Sequence, residues 1–468
     1  MHGSRLTFIT TNLTIDDGGR LIADGLGYNS SHGFTGVGLH GSINSGHGTS
    51  SANGASGAGH GGSGGRGQRV HGASFTGRAY DDLYEPDMFG SAGGRKGNGY
   101  RGGNGGGVIW MNVTDTIDID GLVSANGEDG PNSGSGGGSG GSVWMHCNRI
   151  LGYGIISANG GSGWRKAGAP GGGGSGGRIA IYFHENDTST YFVYEARGGA
   201  ARGCQLGRED LCEAEAGGPG TVFLYHMIEE HRTLLIHNGG QKPLVSAIAD
   251  YNDLRTEGGK AWILPESGKH HFANRGQDFH FEELQIYGGA HLAILTEPAG
   301  KSASLFFKHM IGDRSGVVHV GLNQVMNLRR DEIDLPFSVH VYAGAFLGLA
   351  PYTEVHGVTL YLSGELAHVE NMTLHHGGAL WMYHGGRTVN QSNSTYRFAQ
   401  SLRIELETGL NHRIEINQKS DSLSAPLKSM SSRMSPRASH RRHQYAIVAS
   451  FPASFYRQLF SYIGPYKY

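Results

Sequence analysis

The sequence has few cysteines and prolines, no long apolar run and no excess of either charge. Three cysteines in 468 residues are too few for a disulfide-stapled scaffold. Cys204 and Cys212 enclose a seven-residue loop, a spacing that permits a disulfide without requiring one. Pairing them leaves Cys147 as a buried free thiol on a strand-like run. Thirteen prolines and no strict third-residue glycine exclude collagen. With 38 Lys and Arg against 40 Asp and Glu, no nucleic-acid groove is expected, since that would need a clustered basic excess. No run approaches the ~18–20 apolar residues of a membrane span, so no span is expected in this chain. No signal peptide is visible at Met1-His2-Gly3-Ser4-Arg5 either.

What is abundant is glycine, at 81 residues. Each glycine inside a helix costs about 1 kcal/mol relative to alanine, so the first half should be nearly helix-free. A repeat is readable there. Gly105-Gly106-Gly107-Val108-Ile109-Trp110-Met111 leads to Ser124-Ala125-Asn126-Gly127. Gly140-Gly141-Ser142-Val143-Trp144-Met145-His146 leads to Ser157-Ala158-Asn159-Gly160. Gly176-Gly177-Arg178-Ile179-Ala180-Ile181-Tyr182 leads to Glu195-Ala196-Arg197-Gly198, and a fourth block opens at Gly217. Strand starts at Val108, Val143, Ile179 and Val222 lie 35, 36 and 43 residues apart.

Each unit holds two short β runs and cannot bury its own apolar face, so units are expected to stack. Glycine suits the corners, where φ > 0 is wanted. The fold class expected is all-β, a parallel β-helix or β-solenoid. Residues 1–227 form its glycine-rich part, interrupted by a Gly/Ser/His-rich loop at 28–101 that has too few apolar residues for a core. Within that loop the aromatics of Tyr80 to Phe89 are candidate anchors. Residues 228–418 read as a second, less glycine-dependent β-helix, because Leu284–Ile294 aligns without gaps to Val339–Leu349. Residues 419–468 read as a basic, low-complexity, disordered tail.

Seven Asn-x-Ser/Thr sequons, at Asn12, Asn29, Asn112, Asn186, Asn371, Asn390 and Asn393, point to an extracellular or cell-surface setting and mark glycosylation candidates. With no leader in view, the chain is expected to be either a piece of a larger ectodomain or the product of a gene model missing its first exon. The order of motifs from Gly59-His60-Gly61-Gly62-Ser63-Gly64-Gly65-Arg66-Gly67 through Tyr80–Pro86 to the Gly-Gly-Arg-Ile-Ala-Ile-Tyr block resembles large glycine-rich extracellular surface proteins. The second half is similar in a general way to extracellular β-helix regions. The resemblance implies secretion or cell-surface display and carries over no catalytic residue.

The familiar chemical motifs fail on spacing or context. Gly-x-Gly-x-x-Gly strings are compositional, and none lies between a strand and a helix. Gly300-Lys301-Ser302 ends like a phosphate loop, but Leu295 stands where the first glycine belongs. His226-Met227-Ile228-Glu229-Glu230-His231 has one residue too many for an inverted zinc-protease motif. His270-His271 and His375-His376 put neighbouring side chains on opposite strand faces, so neither pair chelates by itself. No metal, cofactor or catalytic residue is therefore assigned. The chain is expected to be a non-enzymatic structural, adhesive or ligand-presenting module, with extracellular proteins or glycans as partners. The alternative is a carbohydrate-active lyase or hydrolase on a β-helix. That would need convergent acids, for which Asp118 and Asp120 share a strand face, and sugar platforms such as Trp381 or Tyr383.

Overall fold

The computed structural model describes residues 3–29, 54–67, 76–96, 101–164, 170–187, 189–201, 214–241, 260–263, 278–294 and 303–383. It also places strand backbones at 387–392, 395–398, 401–406, 413–417 and 447–450. Every regular element among them is a β-strand. The strands form one sheet of 15 strands and three smaller sheets of 4, 7 and 5, paired almost throughout in parallel.

In the glycine-rich half the repeat blocks stack as the spacing requires. Val143 pairs with Ile179, and Ile179 with Val222, while Ile109 takes the place below Val143. The second run of each unit builds the four-stranded sheet, in which Ser124 pairs with Ser157 and Ser157 with Glu195. The Ala-Asn-Gly corners are tied by a ladder of side-chain caps. Asp24 Oδ1 accepts from the Asn126 amide, Asn126 Oδ1 from Asn159, and Asn159 Oδ1 from Arg197, at 2.6–2.8 Å.

Alternation along these strands feeds two separate cores. Ile109, Met111, Val143, Met145, Ile179 and Ile181 face the four-stranded sheet and bury Val123, Ile156 and Ala158. The opposite face of the same strands carries Trp144, Ala180, Tyr182 and Phe223, which pack with Leu83 and Tyr84. The segment around Tyr84 is thus anchored as its aromatics suggest. Tyr84 lies against the Phe223 ring at 4.9 Å and its carbonyl accepts from the Tyr182 hydroxyl at 2.9 Å.

The glycine tracts do something other than turn corners. Among them only a few glycines, such as Gly54 and Gly134, have positive φ. Instead the tracts run side by side as buried extended segments whose amides point to three neighbours in rotation. Gly136 and Ser139 donate to Gly94 and Ser91, Gly137 and Gly140 to Gly172 and Ser175, and Gly138 and Gly141 to Glu128 and Ala125. The next tract repeats the scheme. Gly172 and Ser175 donate to Ala55 and Ala58, Gly173 and Gly176 to Glu215 and Gly218, and Gly174 and Gly177 to Gly161 and Ala158.

A donor direction that recurs every third residue is the pitch of a polyproline-II helix. Such a helix has no internal hydrogen bonds and must find partners in its neighbours. Within the 28–101 segment, residues 54–67 and 90–94 are members of this bundle and are almost wholly buried, whereas about half of residues 76–89 are half-buried. The physical reason a segment so poor in apolar residues is interior is that its backbone polar groups are satisfied by other backbones. The glycine tracts therefore need no apolar side chains of their own to be there.

Residue 227 falls in a hairpin. Thr221–His226 and His231–His237 pair antiparallel, and the second strand continues the same long sheet in parallel to Asp278–Tyr287. Beyond Gln324 the chain visits three parallel sheets in a fixed rotation. Gln324–Leu328, Phe346–Gly348 and Glu365–Ala367 lie in the long sheet. Glu332–Asp334, Tyr352–Val355 and Asn371–Leu374 lie in the five-stranded sheet, and Ser338–Val341, Thr359–Leu362 and Ala379–Tyr383 in the seven-stranded one. Their interior is a ladder of Leu, Val, Met and Phe side chains, nearly all fully buried.

The Leu284/Val339 sequence alignment does not mark equivalent places. Leu284 lies in the long sheet and His291–Ile294 in the seven-stranded one, whereas Ser338–Val341 and Phe346–Gly348 have those sheets exchanged. Strand, glycine corner and strand recur at two different corners because any corner of such a stack makes the same local demand.

Cys147 follows the strand Ser142–His146, buried and unpaired. Burial pushes its thiol up to about 12. Alkylation at Cys147 in the native chain should run at least about a hundredfold slower than in denaturant, as checked by peptide mapping of the label. Cys204 and Cys212 lie outside the described residues.

Candidate functional site

Among the described residues, a dense buried polar constellation joins the glycine bundle to the long sheet. His60, in a glycine tract, lies with its side chain 0% exposed beside Asp81, at 1%. Its Nε2 is 3.0 Å from Asp81 Oδ2 and its Nδ1 2.7 Å from the Gly140 carbonyl. The ring thus lies between two acceptors, a carboxylate on one nitrogen and a backbone carbonyl on the other. Tyr80 stacks on the same ring at 4.6 Å.

Asp81 has φ 72°, a left-handed conformation that Asp tolerates better than most residues. That conformation turns its carboxylate inward. Oδ2 accepts from His60, from the Ser142 hydroxyl and from the Met88 amide, and Oδ1 from the amides of Asp82 and Asp87. Burial alone would raise the Asp81 pKa. The His60 hydrogen bond and charge, with Arg178 and the Asp82 amide, outweigh it and hold the carboxyl below its ordinary value. Arg178 is fully buried and donates Nε to the Tyr80 carbonyl and Nη1 to the Thr221 hydroxyl.

Ser, His and Asp are all present here, yet the order is wrong for nucleophilic catalysis. The base must reach the hydroxyl, whereas the single Ser142 hydroxyl proton is shared between Asp81 and the Met88 carbonyl. His60 spends its second nitrogen on a backbone oxygen. The cluster is a staple joining the glycine tract and the Tyr80–Phe89 segment to the long sheet, and its side chains spend their hydrogen bonds inside the protein.

A second group lies on the outer face of the seven-stranded sheet. His319, His340, Tyr361 and Trp381 occupy one register column. His319 exchanges hydrogen bonds with His291 at 2.9 Å and with the Tyr342 hydroxyl at 3.1 Å. Burial, then neighbouring His340, His291 and Lys260, drives the His319 pKa well below its ordinary value. Burial and Lys260 take His340 down to about 3.

A base whose folded pKa is depressed contributes stability that is complete above its unfolded value, near 6.5. That contribution is lost as pH falls toward the folded value. The wild-type chain should therefore lose on the order of a few kcal/mol between about pH 6.5 and 3 from this column. His340→Gln should flatten that slope in chemical-denaturation curves taken across the window.

The acids named from sequence come together at a solvated turn. Burial first, then the charges of Asp120 and Asp16, raises the Asp118 pKa. Asp120 caps the Tyr153 amide at 3.1 Å. Trp381 is half-buried with its ring tilted 53° to that of Tyr361 at 5.4 Å, and Tyr383 ends the strand Ala379–Tyr383. His226 to His231 forms the hairpin turn, with Glu230 at φ 50° and the Glu229 amide donating to His226 Nδ1. Its spacing thus serves a turn.

Of the sequons, Asn12, Asn29 and Asn186 are exposed and Asn112 and Asn371 half-buried. Asn12 Oδ1 accepts from the Thr116 amide at 3.1 Å. Asn390 lies on the strand Arg387–Ser392. Asn393, His270-His271 and Gly300-Lys301-Ser302 fall on or partly on residues outside those described.

One grouping that sequence reading missed could hold a metal ion: Glu354, His356 and His375, whose ligand atoms all lie within 4.8 Å of one another. No contiguous motif signals it, because the two histidines are 19 positions apart and meet only through strand pairing.

No helix among the described residues is long and apolar enough to cross a membrane. Comparison with protein-family models, curated proteins and solved structures finds no match.

Proposed function

We propose that this chain is a non-enzymatic structural or adhesive module of β-solenoid type, displayed outside the cell and binding extracellular proteins or glycans along its flanks. The observation that carries this reading is the His60–Asp81–Arg178 cluster. The residues most like catalytic machinery are buried and spend their hydrogen bonds on holding the glycine bundle against the sheet. A chain that visits three parallel sheets in rotation supports the solenoid geometry. It also offers a long stiff surface, which suits presentation better than turnover.

Exposed sequons at Asn12, Asn29 and Asn186 support passage through a secretory compartment, in keeping with the resemblance to glycine-rich surface proteins. The test is to express the chain behind a secretory leader, map glycan occupancy by mass spectrometry, and screen immobilised glycans and matrix proteins for binding. The same sample is incubated with acidic and neutral polysaccharides. Occupied sequons with saturable binding and no new chain ends are expected. Polysaccharide cleavage that disappears in Asp118→Asn would replace this reading with the carbohydrate-active one.

A further inference from the structure

We propose that Glu354, His356 and His375 bind one divalent transition-metal ion of the zinc class at a corner of the five-stranded sheet. This goes beyond the module reading and does not depend on it.

Tyr352–Val355 and Asn371–Leu374 pair in parallel, with Val355 opposite Leu374. His356 and His375 are the next residues on each strand, so they are stacked by register. The corner is fixed by the His375 amide on the Val355 carbonyl and the Gly357 amide on the His376 carbonyl, both 3.0 Å. Gly357 and Gly377, at φ 63° and 70°, turn the chain away just beyond the rings. The two imidazoles lie face to face, centroids 3.6 Å apart and 9° from parallel. Glu354 Oε1 is 3.8 Å from His375 Nε2.

The surroundings prepare His356 as a ligand. Its Nδ1 lies 2.9 Å from Asp334 Oδ1, and Asp334 Oδ2 is in turn held by Arg314 Nη2 at 2.7 Å. A carboxylate is an acceptor, so in the neutral ring Nδ1 carries the proton and Nε2 is the nitrogen left to bind a metal. This is the carboxylate–histidine arrangement that orients metal-bound imidazoles. Arg314 is the cation facing the cluster, and its charge is directed onto Asp334.

Two nitrogens and one carboxylate oxygen suit zinc-class ions better than calcium or magnesium, which prefer all-oxygen shells. Tetrahedral ligands about 2.1 Å from an ion stand about 3.4 Å apart. Capture therefore needs the rings to fan out from their stack and the ligand atoms to close by roughly 1 Å. With side chains 28%, 19% and 42% exposed for His356, His375 and Glu354, there is room to do so. Solvent can also reach a fourth coordination position.

The test uses the full chain, stripped with chelator and titrated with zinc in a calorimeter. Histidines are then footprinted with diethyl pyrocarbonate, with and without one equivalent of zinc, and read out by mass spectrometry. One equivalent should bind and protect His356 and His375 together. His375→Ala should abolish that equivalent, and Asp334→Asn should weaken it about 10–100-fold. An unchanged titration in His375→Ala overturns the site, as does failure of zinc to protect both rings in the wild-type chain. The wild-type footprint decides the matter if a variant does not fold.

Discussion

Gly137→Ala should cost the glycine-rich half about 3 kcal/mol or more, at or above the top of the usual range for overpacking a core. A Cβ at this position would stand 1.9 Å from the Gly161 carbonyl oxygen and 2.6 Å from its carbon, with the Gly174 nitrogen at 2.9 Å. All three are backbone atoms, so no side chain can swing aside. Those backbones are themselves tied into the lattice, Gly161 to Gly138 and Gly174 to Gly161. Relief at one point therefore displaces two further tracts.

The effect comes from close approach alone, since Gly137 has no positive φ. Gly18 makes the opposite control. It has φ +77°, and a Cβ there would meet nothing within 4 Å; asparagine tolerates that conformation. Gly18→Asn should thus change stability by no more than about 0.5 kcal/mol, as for other surface changes. Thermal unfolding of both variants, followed by circular dichroism, separates the two roles of glycine. Equal melting of Gly137→Ala and wild type would mean that the tracts are not close-packed.

That contrast also explains which parts of the architecture were readable from sequence. Strand stacking in the first half was legible because apolar alternation at Val143, Ile179 and Val222 specifies a face, and a face specifies a register. The anchoring by Tyr84 was legible for the same reason, being an apolar side chain in a polar neighbourhood. The glycine bundle was not. Sequence rules for glycine speak of turns and φ, whereas Gly137 and Gly173 are needed because a Cβ there would run into a neighbouring backbone. The rotation of hydrogen bonds that reveals this involves residues from Ala55 to Gly218, and no window of sequence contains it.

The same limit hid the side-chain sites. His60 and Asp81 are 21 residues apart and Arg178 lies 97 beyond Asp81, so their charges meet only once the bundle is docked. His356 and His375 meet through the pairing of two short strands. Asp118 and Asp120 were legible because they stand two residues apart at the end of one strand and the turn after it, and they have the least elaborate surroundings of these groups.

Asp81→Asn should destabilise the chain by about 3–5 kcal/mol, the usual cost of breaking a buried charge pair from one side. The carboxylate receives donors on both oxygens. An amide can present its oxygen to only one set. Its NH2 then faces either His60, Ser142 and Met88 or the amides of Asp82 and Asp87, and donor meets donor in a site without water access.

The pH dependence separates this charge effect from simple loss of packing. Because the Asp81 pKa is lower in the folded chain than in the unfolded one, its contribution is complete above about pH 4. It is lost as pH falls through the folded value. Wild-type stability should fall in that acid window, and Asp81→Asn should fall less steeply there, while being the weaker protein at neutral pH. The double variant His60→Gln/Asp81→Asn supplies the decisive comparison. If the two side chains act as a pair, its cost should undershoot the sum of the single costs by about 0.5–3 kcal/mol. Strict additivity in denaturant titrations would instead show that the two residues contribute separately, and the staple linking the glycine bundle to the sheet would have to be sought at Arg178.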